Sequence, residues 1–430
     1  MITSNIEEYA SITLTVSCIV LMILSIVVSY YKNKDIFSPV KLYIFFNIFF
    51  YLNIYFSDYS LIILFTYFIQ CLIIFLCALV EPYSINIQNE KLNIKLSQPI
   101  TIIWLLSSIS IINQIVVIID MGGIFNYIGN IALRVQYFKG KGYILVLNNL
   151  ISIMNITYFA LLINSKNSTK KHWLFFFLHF TIFVLMALIS GSRSFLLMTI
   201  LIEIAIFHYL HKRINLIKIM PFFLGIIFLI ALLGGVRNSF DTSGKEIKIK
   251  GDNIELNSKH FEYGLIPLDI VYHSNDKELQ YGKTYLSLIT NFIPRAIYPD
   301  KLDSGGVVFT KIYTGDEWEG RSNLSTGAIT EAIINFGPSL GLLIGLSNLL
   351  LFYLLGLYLY KTTINNKHKN LSYFKIIIYL YFILAFSRYS YSEFSYTFYT
   401  LILYVLIPLA IVNLYIRYTS KNIKPVKKIK

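Results

Sequence analysis

The arginines of this 430-residue chain are the side chains whose distribution points most directly to chemistry. Lysine outnumbers arginine 29 to 8, so lysine is the default basic residue and each arginine needs its own explanation. A guanidinium is planar and permanently charged, and it binds phosphate in a bidentate way that a lysine ammonium does not reproduce. The set predicts an anionic ligand, although each arginine taken singly can instead reach lipid head groups. Four lie at or beside the ends of apolar runs: Arg193, Arg237, Arg295 and Arg388.

Two of these arginines have neighbours that suit an anion site. Arg193 lies in ISGSRSF, where a glycine loosens the backbone and Ser192 or Ser194 can cap the helix that follows. The positive end of a helix beside an arginine favours a bound anion. Arg388 lies in FSRYSYSEF, where the nearby Glu393 is either its salt-bridge partner or an independent group.

Several carboxylates and one histidine could act as acids or bases. Glu331 stands out because its surroundings, TGAITEAIINFG, are otherwise apolar, and a buried charge there requires a partner or a function. His273, in DIVYHS, is the second candidate base, and an exposed loop histidine is its alternative. Glu203, midway along an apolar run, is a packing or relay residue without an assigned role. The other candidate carboxylates, which lie between positions 269 and 319, are surface charges or substrate ligands: Asp269, Asp300, Asp303, Asp316, Glu317 and Glu319.

Several kinds of site are missing from the sequence. It contains no GxxxxGK, no HExxH and no pair of aspartates two positions apart. The cysteines Cys18, Cys71 and Cys77 all lie inside apolar runs, where they act as small apolar residues rather than as zinc ligands or disulfides. We therefore expect no cofactor, no metal ion and no nucleotide-driven mechanism.

Composition indicates what must position these residues. Hydrophobic residues make up 56% of the chain and charged residues 14%, against roughly 45–50% and 25% in an ordinary soluble domain. This excludes a soluble globular enzyme. The net charge of +14 does not indicate nucleic acid, because the basic residues are scattered between apolar runs. Each run can cross a hydrocarbon layer about 30 Å thick, and we predict eleven spans: 12–31, 40–57, 60–80, 100–119, 144–163, 173–190, 194–210, 215–235, 338–360, 372–387 and 394–416.

The basic residues also predict an orientation. Alternate connections and the C-terminal tail carry 21 of the 37 basic residues but only Arg213 and Arg417, so we assign them to the cytoplasm and the N-terminus to the outside. Residues 1–235 then hold the first eight spans, 236–326 form a long extracytoplasmic loop, and 327–430 hold a re-entrant or amphipathic segment, three spans and a basic tail. Within the loop, the apolar segment 285–299 suits a helix in the membrane interface. The other six arginines all fall outside: Arg134, Arg193, Arg237, Arg295, Arg321 and Arg388.

Taken together, these features resemble the oligosaccharide repeat-unit polymerases, also called O-antigen polymerases (Wzy). The similar plan of many spans with one long outer loop before the last helices implies an all-α polytopic membrane protein like the GT-C-type lipid-linked glycosyltransferases. The resemblance covers about residues 190–400. It is carried by SGSRSFLL at 190–197, GGVRNSF at 234–240, FIPRAIYPDK at 292–301, TGAITEAIINFGPSLG at 326–341, and the late outer Arg388.

The resemblance implies a metal-independent hexosyltransferase acting on undecaprenyl-diphosphate-linked oligosaccharide at the outer face of the bacterial cytoplasmic membrane. Such an enzyme transfers the growing glycan to the next repeat unit, in O-antigen or capsule synthesis, and has a chain-length regulator and a flippase as partners. The implied catalytic residues are Glu331 or His273 as base, in that order, with Arg193 and Arg295 on the leaving diphosphate. The implied substrate-binding residues are Arg237, Arg321, Arg388, Asp269 and Asp303.

Two alternatives remain open. A ligase that hands the finished glycan to another lipid uses the same donor and differs only in its acceptor. A flippase or transporter is expected to show charges at the membrane midplane or paired broken helices in two related halves.

Overall fold

The computed structural model describes residues 2–56, 58–83, 95–129, 137–138, 141–190, 193–215, 240–241, 248–249, 265–274, 277–293, 297–314, 325–364 and 373–421. Nearly all regular structure in these ranges is helical. The first nine helices in these ranges are α1 Ile2–Lys32, α2 Pro39–Tyr51, α3 Leu61–Val80, α4 Ser97–Asp120, α5 Ile124–Gly129, α6 Gly142–Asn164, α7 Lys170–Ile189, α8 Arg193–Leu210 and α9 Leu265–His273.

The later helices include several short ones. They are α10 Lys283–Asn291, α11 Gly305–Tyr313, α12 Ala328–Phe336, α13 Pro338–Thr363, α14 Tyr373–Ser387, α15 Phe394–Thr400 and α16 Ile407–Lys421. A 3-10 turn follows α2 at Leu52–Tyr55, and a π-helical turn joins α15 to α16 at Leu401–Leu406. The described strands are two residues each, β1 Phe240–Asp241 paired antiparallel with β2 Lys248–Ile249.

The helices identify a membrane protein and match most of the predicted spans. Among the described residues, seven helices are long and apolar enough to cross a bilayer: Glu7–Lys32, Leu61–Val80, Ser97–Asp120, Ile144–Asn164, Lys170–Ile189, Pro338–Thr363 and Phe394–Tyr418. The predicted spans 194–210 and 372–387 are shorter apolar helices. The predicted span 40–57 is a 13-residue helix that tightens at Leu52, about 20 Å long at 1.5 Å per residue. The predicted span 215–235 lies almost wholly outside the described residues.

The chain divides into two compact units. Unit 1 comprises Met1–Ile87, Glu255–Lys367 and Phe382–Leu401, and unit 2 comprises Gln88–Ile254, His368–Tyr381 and Ile402–Lys430. The candidate site described below lies in unit 1.

Unit 1 is organised around the hairpin of α12 and α13. The two helices meet at Gly337, whose φ of +82° is a left-handed conformation that favours glycine. Gly341 and Gly345, one turn apart on α13, face the backbone of α12 so closely that a Cβ at either position would overlap Ile333 or Ile329. Small residues at this spacing allow membrane helices to approach closely. The short helix α12 is thereby held against a full-length span, with all its residues from Ala328 to Asn335 buried.

Unit 2 contains a polar network at the middle of its helices. The Ser107 hydroxyl lies 2.7 Å from Nε2 of His179, and Nδ1 of His179 lies 2.8 Å from Oδ1 of Asn155. The amide of Asn155 donates to Oε1 of Glu203 at 2.6 Å, so its oxygen accepts from the imidazole and His179 accepts from Ser107. The network joins α4, α6, α7 and α8, and it provides Glu203 with a partner.

Candidate functional site

A buried carboxylate lies at the centre of the candidate site. Glu331 of α12 is fully buried. Its Oε1 accepts a 2.8 Å hydrogen bond from the Thr284 hydroxyl of α10. Its Oε2 accepts a 2.7 Å bond from the backbone N–H of Phe394, at the start of α15. Glu331 therefore links three helices that are distant in sequence, and both of its oxygens are engaged.

A second buried carboxylate, Glu393, repeats this pattern. It is 4% exposed, and its Oε2 accepts a 2.6 Å bond from the N–H of Gly306, at the start of α11. The positive end of a helix stabilises an anion, and here Glu331 lies at the start of α15 while Glu393 lies at the start of α11. Gly305 allows this packing, because a Cβ there would lie 3.0 Å from the Glu331 carboxyl carbon. Glu393 is therefore engaged independently of Arg388.

The surroundings of the two carboxylates disfavour their ionisation. Burial, and then the negative charge of Glu393, raise the pKa of Glu331, while the bonds from Phe394 and Thr284 lower it to a lesser degree. Burial likewise raises the pKa of Glu393. Neighbouring carboxylates in a dry site do not readily ionise together, so the pair holds a proton at higher pH than an exposed glutamate does.

The C-terminal end of α12 holds the loop before α10. The Asn335 amide donates to the Thr284 hydroxyl oxygen at 2.6 Å, and its Oδ1 accepts from the N–H of Gly282 at 2.8 Å. Its carbonyl accepts from the N–H of Tyr281 at 3.0 Å. Tyr281 is the one described non-glycine residue with a positive φ, 47°, and its side chain is 72% exposed. Side chains rarely adopt this conformation unless their surroundings impose it.

The turn that carries Arg388 is held by three consecutive carbonyls. The carbonyl of Tyr389 accepts from the N–H of Ala328 at 3.2 Å, and that of Tyr391 accepts from the Ser325 hydroxyl at 2.6 Å. The Ser390 carbonyl between them accepts from the Tyr51 hydroxyl at 3.1 Å. The turn is therefore fixed to the segment that leads into α12.

Gly327, just before α12, lies against this turn. Its φ is +78°, and a Cβ there would overlap the Ser390 carbonyl. Both observations explain why glycine occupies this position.

Arg388 itself is half-buried and lacks a counter-charge among the residues described. Its Nε donates to the carbonyl of Leu384 at 3.2 Å, and the electrostatic neighbours of the guanidinium are the phenols of Tyr396 and Tyr391. Burial lowers the pKa of Arg388, yet an arginine stays charged at neutral pH. Within the described part of the chain, its two terminal nitrogens form no hydrogen bond and no ion pair. A fixed guanidinium of this kind can bind an anion.

The other predicted site residues have different environments. His273 and Asp269 form an exposed pair on α9, with Nδ1 3.3 Å from the carboxylate and 2.9 Å from the Asp269 carbonyl. Asp303 pairs with Lys311 at 2.6 Å. Arg193 begins α8 in unit 2, but its side chain is not among the described parts of the chain. Three further arginines lie wholly outside the described residues: Arg237, Arg295 and Arg321.

Sequence patterns left three members of the site unidentified. Thr284 and Asn335 hold Glu331 and the α10 loop, and Ser325 holds the turn of Arg388. The structure rather than the sequence identifies Thr284: on α10 the polar Thr284 and Ser287 are buried, while Leu286 and Ile289 are exposed. That reversal marks a helix whose polar face is packed against the protein.

The arrangement combines a buried acid pair, an unopposed guanidinium and an exposed histidine–aspartate pair. Within the described ranges, no group of three or more histidine, cysteine or acidic side chains is placed to hold a metal ion. The acid pair, the guanidinium and the histidine can bind an anion and transfer protons. No family model, curated protein or solved structure matches this chain.

Proposed function

We propose that this chain is a membrane glycosyltransferase that polymerises polyprenyl-diphosphate-linked oligosaccharide repeat units. The observation that carries the proposal is Arg388, a half-buried guanidinium on a fixed turn with no carboxylate partner among the described residues. A leaving diphosphate supplies the missing negative charge. The sequence resemblance to repeat-unit polymerases supports the same substrate class.

The reaction breaks the anomeric C–O bond to the lipid diphosphate and forms a glycosidic bond to a hydroxyl of the acceptor repeat unit. The bonding electrons leave with the diphosphate, where a preorganised arginine stabilises the developing charge. The acceptor hydroxyl loses its proton to a base. In the proposal Arg388 binds the diphosphate. The roles of Arg193, Arg237, Arg295 and Arg321 stay predictions from the sequence resemblance.

The geometry favours His273 over Glu331 as the base. The Asp269 carbonyl and carboxylate both face Nδ1 of His273, which fixes the proton on Nδ1 and leaves Nε2 as the acceptor. Both oxygens of Glu331 are instead engaged in a site with no exposed surface. We therefore assign Glu331 and Glu393 a positioning role and His273 the proton transfer.

The proposed location is the outer face of the bacterial cytoplasmic membrane. Its support is the concentration of lysines in alternate connections, which the positive-inside rule assigns to the cytoplasm. The turn of Arg388 and the loop of His273 then share the outer face. The same orientation places the lysine-rich C-terminal tail beside the anionic inner leaflet.

A glycan ladder in the native host tests the proposal. The deletion strain is complemented with wild type, Arg388→Ala, Arg388→Lys or the control Arg417→Lys, at matched membrane abundance. We expect wild type and the control to restore a ladder, Arg388→Ala to leave single repeat units on the final lipid, and Arg388→Lys to restore it weakly. Long glycan retained on the polyprenyl carrier in the deletion strain would identify a ligase instead. A full ladder from Arg388→Ala would remove the anion site.

The midplane network of unit 2 favours a second candidate function, a flippase for lipid-linked glycans. Glu203 and His179 are buried ionisable residues midway along their helices, which is where transporters place substrate and ion sites. Repeat units retained at the inner face in the deletion strain would support the flippase and refute the polymerase.

A further inference from the structure

A basic groove on unit 1 lies beside the acid pair but is separate from it. Its volume is about 240 Å³, and it is lined by side chains of α10, α11 and the segment between them. Lys283, Lys301 and Lys311 line it together with Asp303 and Gln280. Three lysines and one aspartate give this lining a net charge of +2 at neutral pH.

The groove has a fixed position relative to the carboxylates. Lys283 immediately precedes Thr284, which donates to Glu331. Lys311 lies on α11, five residues after Gly306, the donor to Glu393. At 1.5 Å per residue, that separation along the helix is about 7.5 Å. The acid pair therefore holds the two helices that form the walls of the groove.

An exposed apolar surface adjoins the groove. Leu286 and Ile289 follow Lys283 at helical spacing on α10 and are 54% and 64% exposed. Phe292, just after the helix, is 40% exposed. A short helix with one lysine at its start and an uncovered apolar face suits the boundary between head groups and hydrocarbon.

These features match an amphiphile with an anionic head. The lysines supply point charges, which bind phosphate without the fixed fork of an arginine, and the face of α10 supplies contact for a hydrocarbon chain. A polymerase handles two lipid-linked substrates at once. Only the donor's diphosphate becomes a leaving group that needs electrostatic stabilisation in the transition state. The acceptor's diphosphate has to be held but does not react.

We propose that this groove and the adjoining face of α10 bind the isoprenoid diphosphate of the acceptor substrate, while Arg388 serves the donor. This assignment rests on the proposed function. The polymerase then has two anion sites of different chemistry. Lysines hold the diphosphate of the acceptor, and an arginine stabilises the leaving diphosphate of the donor.

Direct binding to the full-length chain in phosphatidylcholine nanodiscs tests the groove. Farnesyl diphosphate is titrated by calorimetry against wild type, Lys283→Gln, Lys301→Gln and the matched control Lys277→Gln, an exposed lysine that does not line the groove. We expect about a tenfold loss of affinity for each groove lysine replaced and no change for the control. Equal affinity in all four proteins would overturn the proposal.

Further arms identify the source of the anion. Inorganic diphosphate is expected to bind more weakly than farnesyl diphosphate, and Leu286→Ser is expected to weaken only the latter. Equal binding of the two ligands would refute the lipid assignment in favour of free diphosphate. Displacement of farnesyl diphosphate by phosphatidylglycerol in the nanodisc would refute it in favour of an ordinary lipid head group.

The binding test is independent of the glycan ladder. Arg388→Ala is expected to retain the lysine-dependent binding of farnesyl diphosphate, since the groove does not include Arg388. Loss of that binding in Arg388→Ala, with the groove variants unaffected, would overturn the two-site assignment. If the groove binds as expected but no ladder depends on the chain, the proposed reaction fails while the lipid site stands.

Discussion

Replacing Glu331 tests whether the buried carboxylate holds helices α10, α12 and α15 together. In Glu331→Ala, the Thr284 hydroxyl and the Phe394 N–H lose their shared acceptor while they remain buried. A buried donor left without its acceptor costs about 1–3 kcal/mol, so two such donors predict destabilisation of about 2–6 kcal/mol. Glu331→Gln keeps the shape, retains an acceptor for Phe394 and removes the repulsion from Glu393. We expect it to lie within about 1 kcal/mol of wild type.

The assay is thermal denaturation of the purified chain in detergent, followed by loss of the monodisperse chromatographic peak. Glu331→Ala is expected to lower the midpoint by several degrees, and Glu331→Gln to leave it nearly unchanged. Glu278→Gln, which replaces an exposed carboxylate shortly before α10, is the control, and its effect is expected to stay within about 0.5 kcal/mol. A midpoint for Glu331→Ala equal to that of wild type would show that the carboxylate holds nothing in place.

The same variants predict a pH dependence with a definite sign. The folded-state pKa of Glu331 is raised above the value of 4.5, so the folded chain binds more protons than the unfolded chain between those two pKa values. Stability therefore falls as pH rises from about 4.5 through the raised pKa. Glu331→Gln is expected to flatten this slope. A slope that survives in Glu331→Gln would assign the titration to another group.

Three further variants test other parts of the account. Gly327→Ala adds a Cβ against the Ser390 carbonyl at a positive φ. We expect the stability of the folded chain to fall by about 1–3 kcal/mol and the glycan ladder to be weak. An unchanged ladder would contradict the role given to the turn. His273→Gln removes the proposed base and is expected to lower turnover about 10²- to 10⁴-fold at unchanged melting temperature; normal turnover would return the base to Glu331. Asn155→Leu breaks both bonds of Asn155 in unit 2 and is expected to cost about 0.6–2 kcal/mol for each, measured by the same melt.

Residues whose type contrasts with that of their sequence neighbours were predictable from the sequence. Glu331 lies in an apolar segment, and the expectation that it needs a partner follows from the cost of burying a charge. Its partners lie 47 and 63 residues away in the chain. No periodicity encodes such pairings, because they depend on how α10, α12 and α15 pack in three dimensions.

The spans illustrate the same limit. Long apolar runs such as Leu61–Val80 and Pro338–Thr363 are helices long enough to cross a bilayer. Their length is predictable because the thickness of the hydrocarbon core sets both the length of the apolar run and the length of the helix. The run at 40–57 is also predicted as a span, yet its α-helix ends at Tyr51 in a 3-10 turn. Hydropathy reports the environment of a segment, whereas the end of a helix depends on local backbone contacts.

The most direct test of the central claim is reconstitution. The purified chain in nanodiscs is incubated with a lipid-linked repeat unit from its host, and the lipid-bound products are separated by length. Wild type is expected to yield glycans of two, three and more repeat units on the polyprenyl diphosphate, with release of free lipid diphosphate, and Arg388→Ala is expected to yield none. Repeat units that stay single with wild type, or a full series from Arg388→Ala, would contradict the account.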